Sequence, residues 1–269
     1  MSPRENAALH DKVAIVSGAA QGLGTAFARK LSEKGASVLA FDVQPGIESI
    51  AQDIQSETGN RVLGLVADIS QRSDIEGLVS TTIAEFGGLD LLVNNAGAWK
   101  RTLVDSDWEQ AVADWDEIMG PNLQGLIMLS RACVPLLQQR GEGDIVNVST
   151  YYVLPAKSEG TNPPDTDLYN ASKWALNGLT DAWAKYLAKD NIRVNGLCMG
   201  AVDTPMLRGL FEDGQIPPPL RDVVMQAEQI AQQLVELLQD GRSGENIGAW
   251  VGEPVVIPPL APSNRMVSG

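Results

Sequence analysis

Short apolar runs recur along the chain, each followed by a longer stretch whose apolar positions return every three or four residues. KVAIVSG at 12–18 is a buried strand by this criterion, and Gly22 to Lys34 carries the helical spacing. SVLAFD at 37–42 is a second strand, with another helical run to about Thr58. RVLGLVAD, LDLLVNNAG, GDIVNVS, IRVNGLC and AWVGEPVVI give five more strands. Their low polar alternation suits a sheet covered on both faces, and strands alternating with helices predict an α/β fold: a doubly wound, parallel, seven-stranded sheet of the Rossmann type. No linker divides it. The proline-rich pieces TNPPD, IPPP and PPLAP look like loops, so 12–257 is expected to be one domain between a polar leader (1–11) and a tail (258–269).

In such a fold ligands bind beyond the carboxyl ends of the strands. The loop after the first strand is SGAAQGLG, with Gly18, Gln21, Gly22, Leu23 and Gly24 leading into a helix. Glycines there permit a tight turn and let backbone amides at the helix N-terminus approach a pyrophosphate. Asp42 ends the second strand, eighteen positions after Gly24, near the spacing of a carboxylate that accepts the adenosine ribose hydroxyls. A carboxylate repels a 2'-phosphate, and Gln21 and Val43 offer that phosphate no cation, so NAD is expected over NADP.

Composition adds exclusions. The 269 residues hold 20 basic and 34 acidic side chains, a net charge of -14, which argues against nucleic acid and anionic membranes as partners. Local amide dipoles can still bind an anionic cofactor. The single histidine, His10, rules out a histidine triad or a histidine-rich zinc site, and Cys133 and Cys198 lack metal-ligand spacing, so no metal is expected. With neither a signal-like apolar core nor an eighteen-residue apolar run, a cytoplasmic protein is expected.

The stretch LYNASKWALNG places Tyr169 and Lys173 four positions apart at the start of a helix, where they share a face and the ammonium can favour ionisation of the phenol. Together with SGAAQGLG, with NNAG at 94–97 and with Asp68 and Ile69 after the third strand, this pair resembles the short-chain dehydrogenase/reductase family over most of the chain, about Lys12 to Ile257. Ser17 stands where that family usually has threonine. The resemblance implies that Asn95, Ala96 and Gly97 line the adenosine ribose, that Asp68 and Ile69 hold the adenine, and that Val202 and Thr204 contact the nicotinamide carboxamide. It also implies that Tyr169 is the acid or base exchanging a proton with the substrate oxygen, that Lys173 lowers its pKa and binds the nicotinamide ribose, and that Asn122 helps hold a relay water. The resemblance places the family's substrate-binding hydroxyl at Thr150, with the adjacent Ser149 as the alternative, since alignment of a strand end can slip by one residue.

The implied function is an NAD-dependent oxidoreductase of secondary alcohols and ketones, acting on a small molecule and assembling as a homo-oligomer, a dimer or tetramer. A dihydrodiol dehydrogenase and a non-catalytic NAD-binding regulator are the alternatives. Trp99, Tyr151, Tyr152, Met206 and Phe211 are candidates for an apolar pocket suited to a cyclic or aryl substrate, and Thr204 to Leu220 for a lid over it. Three features depart from the family pattern: a long AKSEGTNPPDTD segment before Tyr169, Met199-Gly200 in place of Pro-Gly, and a C-terminus that is not glycine-rich, where the family often joins subunits.

Overall fold

A computed structural model describes residues 9–154 and 162–259. Seven parallel strands form one sheet in the order β3-β2-β1-β4-β5-β6-β7, with β1 at Val13–Ser17, β2 at Ser37–Asp42, β3 at Val62–Val66, β4 at Leu91–Asn94, β5 at Gly143–Thr150, β6 at Ile192–Met199 and β7 at Asn246–Ala249. The order reverses between β1 and β4, so the loops after these strands diverge and leave a crevice at the switch point. Helices α1 (Gly22–Glu33), α2 (Ile47–Thr58) and the late helix Ala227–Asp240 supply one core layer, where Phe27, Leu31, Ile54 and Ile230 are fully buried. Helices α3 (Arg72–Phe86), α4 (Trp108–Met119), α5 (Leu126–Arg140) and α6 (Asp167–Leu187) complete the principal helical set. Leu78 of α3, Leu129 and Leu137 of α5 and Leu187 of α6 pack the opposite face. With both faces covered, nearly every residue of β1, β2 and β4 is buried, which is why these strands read as unbroken apolar runs.

One expected strand is misplaced. The last strand is Asn246–Ala249, paired with Gly196–Met199, and AWVGEPVVI joins it only at Ala249. Gly252 turns the chain at φ 77° and Pro254 cannot donate to a ladder. Val255 and Ile257 nonetheless pack on the core as irregular chain, with the Val256 carbonyl accepting from Gln233 Nε2 at 3.1 Å. An apolar run without strand geometry is indistinguishable from a strand by composition alone.

Between α4 and α5 the helix widens into a π-helical turn, Gly120–Gly125. Pro121 cannot donate the backbone hydrogen bond an α-helix requires, and the wider turn absorbs that defect. Asn122 is thereby turned fully inward. Among the described residues no helix is long and apolar enough to cross a membrane.

Candidate active site

The glycine loop is shaped by sterics. Gly18 and Gly22 have φ of 64° and 57°, and a Cβ on Gly18 would lie 2.8 Å from Ala96 Cα. Gly24 has another role: its Cβ would stand 2.0 Å from the Gly18 carbonyl oxygen, so its lack of a side chain seats α1 against the loop, and Gly24 itself is not on the cleft wall. The Ser17 hydroxyl accepts from the backbone N–H groups of Asn95 and Ala96, both at 2.9 Å, and Asn95 Nδ2 donates to the carbonyls of Ser17 and Gly18. The loops after β1 and β4 thus form one braced unit. Asp42 is buried, its two carboxylate oxygens accepting from Ala20 N and Gln44 N at 3.0 Å each.

These elements open onto a cleft of about 630 Å³ lined by Gly18, Gln21, Gly22, Leu23, Asp42, Asp68 and Ile69 at one end. Asn95, Ala96, Gly97 and Lys173 line its middle, and Thr150, Tyr169, Val202 and Thr204 also face it. Asp68 Oδ1 accepts from Ser70 N at 2.8 Å, and Ile69 packs where only a glycine, Gly125, leaves room. Thr204 caps the short helix Pro205–Arg208, its Oγ1 accepting from Leu207 N at 3.3 Å. The cradle of glycines and amides beside a buried, anchored carboxylate fits a dinucleotide: Gly18 and Gly22 bring bare backbone to the cleft surface, and the carboxylate is held ready for a ribose.

Tyr169 and Lys173 lie on the first turns of α6, at the centre of the sheet's carboxyl edge. Thr102, after β4, pins the start of that helix: its Oγ1 donates to Asp167 Oδ1 at 2.5 Å and its backbone bridges Thr166. The Lys173 ammonium donates to the Val148 carbonyl at 3.0 Å and stands 5.8 Å from the centre of the Tyr169 ring. Burial brings its pKa down to about 8, and burial raises the Tyr169 phenol above its ordinary value. The surroundings in the protein thus oppose charge on both groups, so ionising the phenol depends on neighbouring positive charge.

Asn122 is buried behind this pair and off the cleft wall. Its Oδ1 accepts from Ala98 N at 2.7 Å, while Nδ2 donates to the Ala98 carbonyl and to Ser172 Oγ, which in turn donates to the Tyr169 carbonyl. It therefore ties the loop after β4 to the turn that bears the tyrosine. Of the two hydroxyls ending β5, Thr150 Oγ1 accepts from Tyr152 N at 3.4 Å and keeps its own proton to donate, whereas Ser149 Oγ is sealed in the interior beside the Cys198 thiol, which burial pushes up to about 12. Among the described residues no group of three or more His, Cys, Asp or Glu is placed to hold a metal.

A family profile for the short chain dehydrogenases matches residues 12–215, the span that holds both the glycine cradle and the tyrosine–lysine pair. The chain is a short-chain dehydrogenase/reductase. It is 34% identical over 205 residues to the 3-oxoacyl-(acyl-carrier-protein) reductase of Thermotoga maritima, covering 76% of this chain and 79% of that one. It is 32% identical over 241 residues to the cis-4-hydroxycyclohexanecarboxylate dehydrogenase of Sinomonas cyclohexanicum, covering 88% and 92%. Among solved structures, a 3-ketoacyl-(acyl-carrier-protein) reductase from Brucella melitensis complexed with NADH superposes with a TM-score of 0.77 at 26% identity, over 92% of this chain and all of that one. Membership makes the protein an oxidoreductase of small molecules that uses a nicotinamide cofactor.

For this short-chain dehydrogenase the apolar candidates resolve unevenly. Trp99, Tyr151, Tyr152 and Met206 line the cleft, with Leu207 and Leu210 beside them, but Phe211 does not. Phe211 follows the short helix in a turn, its N–H donating to the Arg208 carbonyl, one residue beyond the lining positions Leu207 and Leu210. Gln44, Asp116, Glu117 and Pro121 also line the cleft without having been singled out in the sequence; only Pro121, inside a helical run, carried a local signal. Much of the AKSEGTNPPDTD segment, together with the leader to residue 8 and the tail from 260, lies outside the described residues.

Proposed function

We propose that this short-chain dehydrogenase interconverts a secondary alcohol and a ketone, with NAD as its cofactor and Tyr169 as its acid and base. The observation that carries the reading is the meeting of Tyr169, Lys173 and Thr150 on one wall of the cleft whose other end holds Asp42 and the glycine cradle. NAD, when bound, takes up or gives back the hydride. Thr150 Oγ1 donates to the substrate oxygen and orients it toward Tyr169, whose phenolate takes the alcohol proton during oxidation and whose phenol gives it back during ketone reduction. The Lys173 ammonium offsets the negative charge on the phenolate in surroundings that otherwise disfavour it. Asn122 acts one step back, fixing the turn beneath Tyr169 and the loop at Ala98.

The buried Asp42 carboxylate supports NAD over NADP, since Lys173 is the only cation among the described residues of the cleft wall and belongs to its reacting end. Trp99, Tyr152, Met206 and Leu210 support a largely apolar, cyclic or aryl alcohol. The relative named for a hydroxycyclohexane carboxylate handles a ring alcohol, which agrees with that choice. A ring dihydrodiol dehydrogenase shares every group invoked. A non-catalytic regulator is disfavoured because pure binding requires no tyrosine–lysine pair. Exposed Trp108, Val112 and Trp115 on α4 are compatible with a homo-oligomer, and the absence of a membrane-spanning helix among the described residues is compatible with the cytoplasm. The test is reduction of NAD and of NADP with a panel of cyclic and aryl secondary alcohols; turnover confined to NADP, or with none of the panel, would overturn the assignment.

A further inference from the structure

Two phenols of the cleft have no part in the mechanism above. Tyr151 and Tyr152 follow Thr150 directly and form a single rigid turn with Val153, closed by Leu154 N donating to the Tyr151 carbonyl at 3.0 Å and clamped to α6 by Asn177 Nδ2 donating to the Val153 carbonyl at 2.8 Å. Their ring centres are 4.7 Å apart, and the Tyr151 ring meets Trp250 edge-on at 5.6 Å. A Cβ on Gly200 would lie 3.0 Å from Tyr151 Cε1, so the unusual Met199-Gly200 pair retains the glycine that this ring requires. The aromatic pair is therefore built in, as fixed as the strand end from which it springs.

Both rings line the cleft that Tyr169 also faces. The Tyr152 phenol is pushed up to about 12, first by burial and then by its interaction with Tyr151, so it remains an O–H donor throughout the working range. Two phenols in contact satisfy one donor between them and leave one hydroxyl proton to give away. Among the described residues beside the pair, Met199, Met206, Leu207 and Leu210 carry no polar side-chain group, and Thr150 and Tyr169 serve the reacting oxygen.

Charge narrows what can. Lys100 is engaged by Asp114 and Glu117, Arg101 by Asp165, and Arg208 by Asp203. Among the described residues, then, no cation other than Lys173 faces the cleft, and taking a carboxylate or phosphate out of water into this wall would cost more than a phenol returns.

We propose that the substrate carries, close to its reacting carbinol, a second and uncharged oxygen held by the Tyr151–Tyr152 pair, which makes it a diol or hydroxyketone in place of a plain alcohol or a hydroxy acid. The proposal rests on the alcohol-oxidoreductase reading and refines its substrate class. It assigns Tyr152 as a specificity residue, because a site built around a donor rejects the analogue that leaves that donor unpaired.

The experiment compares kcat/KM for cyclohexanol, for cis- and trans-1,2-cyclohexanediol and for 2-hydroxycyclohexanecarboxylate with NAD, in the wild type and in Tyr152→Phe. The expected result is a wild-type preference of about tenfold or more for one diol over cyclohexanol, with the hydroxy acid slower than that diol, and collapse of the diol-to-cyclohexanol ratio toward one in Tyr152→Phe, whatever the absolute rates. A wild-type ratio near one, a ratio untouched by the substitution, or a hydroxy acid that outruns both diols overturns the proposal. If Tyr152→Phe does not fold, Tyr151→Phe probes the same pair and the wild-type ratios stand as the decision. Oxidation of cyclohexanol without diol preference sinks this inference alone. Failure on every alcohol, with NADH still bound by fluorescence, sinks the catalytic reading as well.

Discussion

The two ends of the cleft are built from different materials. At the nucleotide end, recognition rests on backbone: glycines at positive φ, amides at the start of α1, and a carboxylate fixed by two N–H groups, all on the loops after β1 and β2. At the substrate end it rests on side chains from segments after β4, β5 and β6, of which Met206 and Leu210 are markedly exposed. Backbone recognition tolerates almost no substitution and so leaves a sharp mark in a sequence. Side-chain recognition can be met by many residues, and the same scaffold takes different substrates by changing them.

The largest effect should come at the centre, where the two ends meet. Tyr169→Phe is expected to lower kcat/KM by about 10²- to 10⁴-fold while NADH binding, read by fluorescence titration, stays within a few-fold of wild type. The sign of the pH dependence follows from the proton: alcohol oxidation requires the phenolate and should rise with pH, whereas ketone reduction requires the phenol and should fall. Lys173→Met should shift the rising limb to higher pH, because it removes a positive charge that favours the phenolate. An unshifted limb would detach Lys173 from the ionisation of Tyr169.

The next effect separates two adjacent hydroxyls. Thr150→Val should cost about 3 kcal/mol of transition-state stabilisation, Thr150→Ser much less, and Ser149→Ala less than Thr150→Val. Both residues line the cleft, but Ser149 Oγ is shut inside next to Cys198, whereas Thr150 Oγ1 keeps its proton to donate. Measured efficiencies in the reverse order would move the substrate contact to Ser149.

How far the site was legible follows the same division. Asp42, Tyr169 and Lys173, which spacing and family motifs single out, all line one cleft, because each is tied to a strand end or a helix start. Gly24 was recognisable as necessary, but not for its reason: only the structure shows that it meets the Gly18 carbonyl rather than the cleft. The apolar run predicts the final strand several residues late because partly buried irregular chain at Val255 and Ile257 is as apolar as a strand. The π-helical turn at Asn122 is an intermediate case. Pro121 announced an irregularity, and its form, six residues that turn an asparagine wholly inward, depends on packing between α4 and α6 that no local pattern encodes.

A smaller effect tests the nucleotide end. Asp42→Ala should shift the ratio of kcat/KM for NAD over NADP toward NADP by about tenfold, the equivalent of roughly 1.4 kcal/mol, by removing repulsion of the 2'-phosphate without adding a cation to attract it. Ala20 N and Gln44 N lose their acceptor in the same variant, so NAD efficiency should fall as well. If the wild type used both cofactors equally, the carboxylate would have no selective role.

The smallest expected effect concerns the segment from Thr204 to Leu220, proposed as a lid over the substrate end. Its two short helices, Pro205–Arg208 and Pro218–Arg221, are separated by a turn at Gly214, so no continuous helix holds it. Ile216 is buried and anchors the far part, whereas Met206 and Leu210 are 48% and 38% exposed on the cleft side, leaving apolar surface that closure over an apolar substrate would cover. Covering about half a leucine side chain is worth about 1 kcal/mol, so Leu210→Ala should raise KM for a ring alcohol by roughly fivefold with little change in kcat. Phe211→Ala, off the cleft wall, should move KM by less than about twofold although it deletes the larger side chain, because the contact and not the bulk decides. Hydrogen exchange supplies the independent measurement: amides between 205 and 215 should exchange more slowly once NADH and a ketone analogue are present. Equal exchange in both states, or a Phe211→Ala effect exceeding that of Leu210→Ala, would make this segment a fixed wall rather than a closing one.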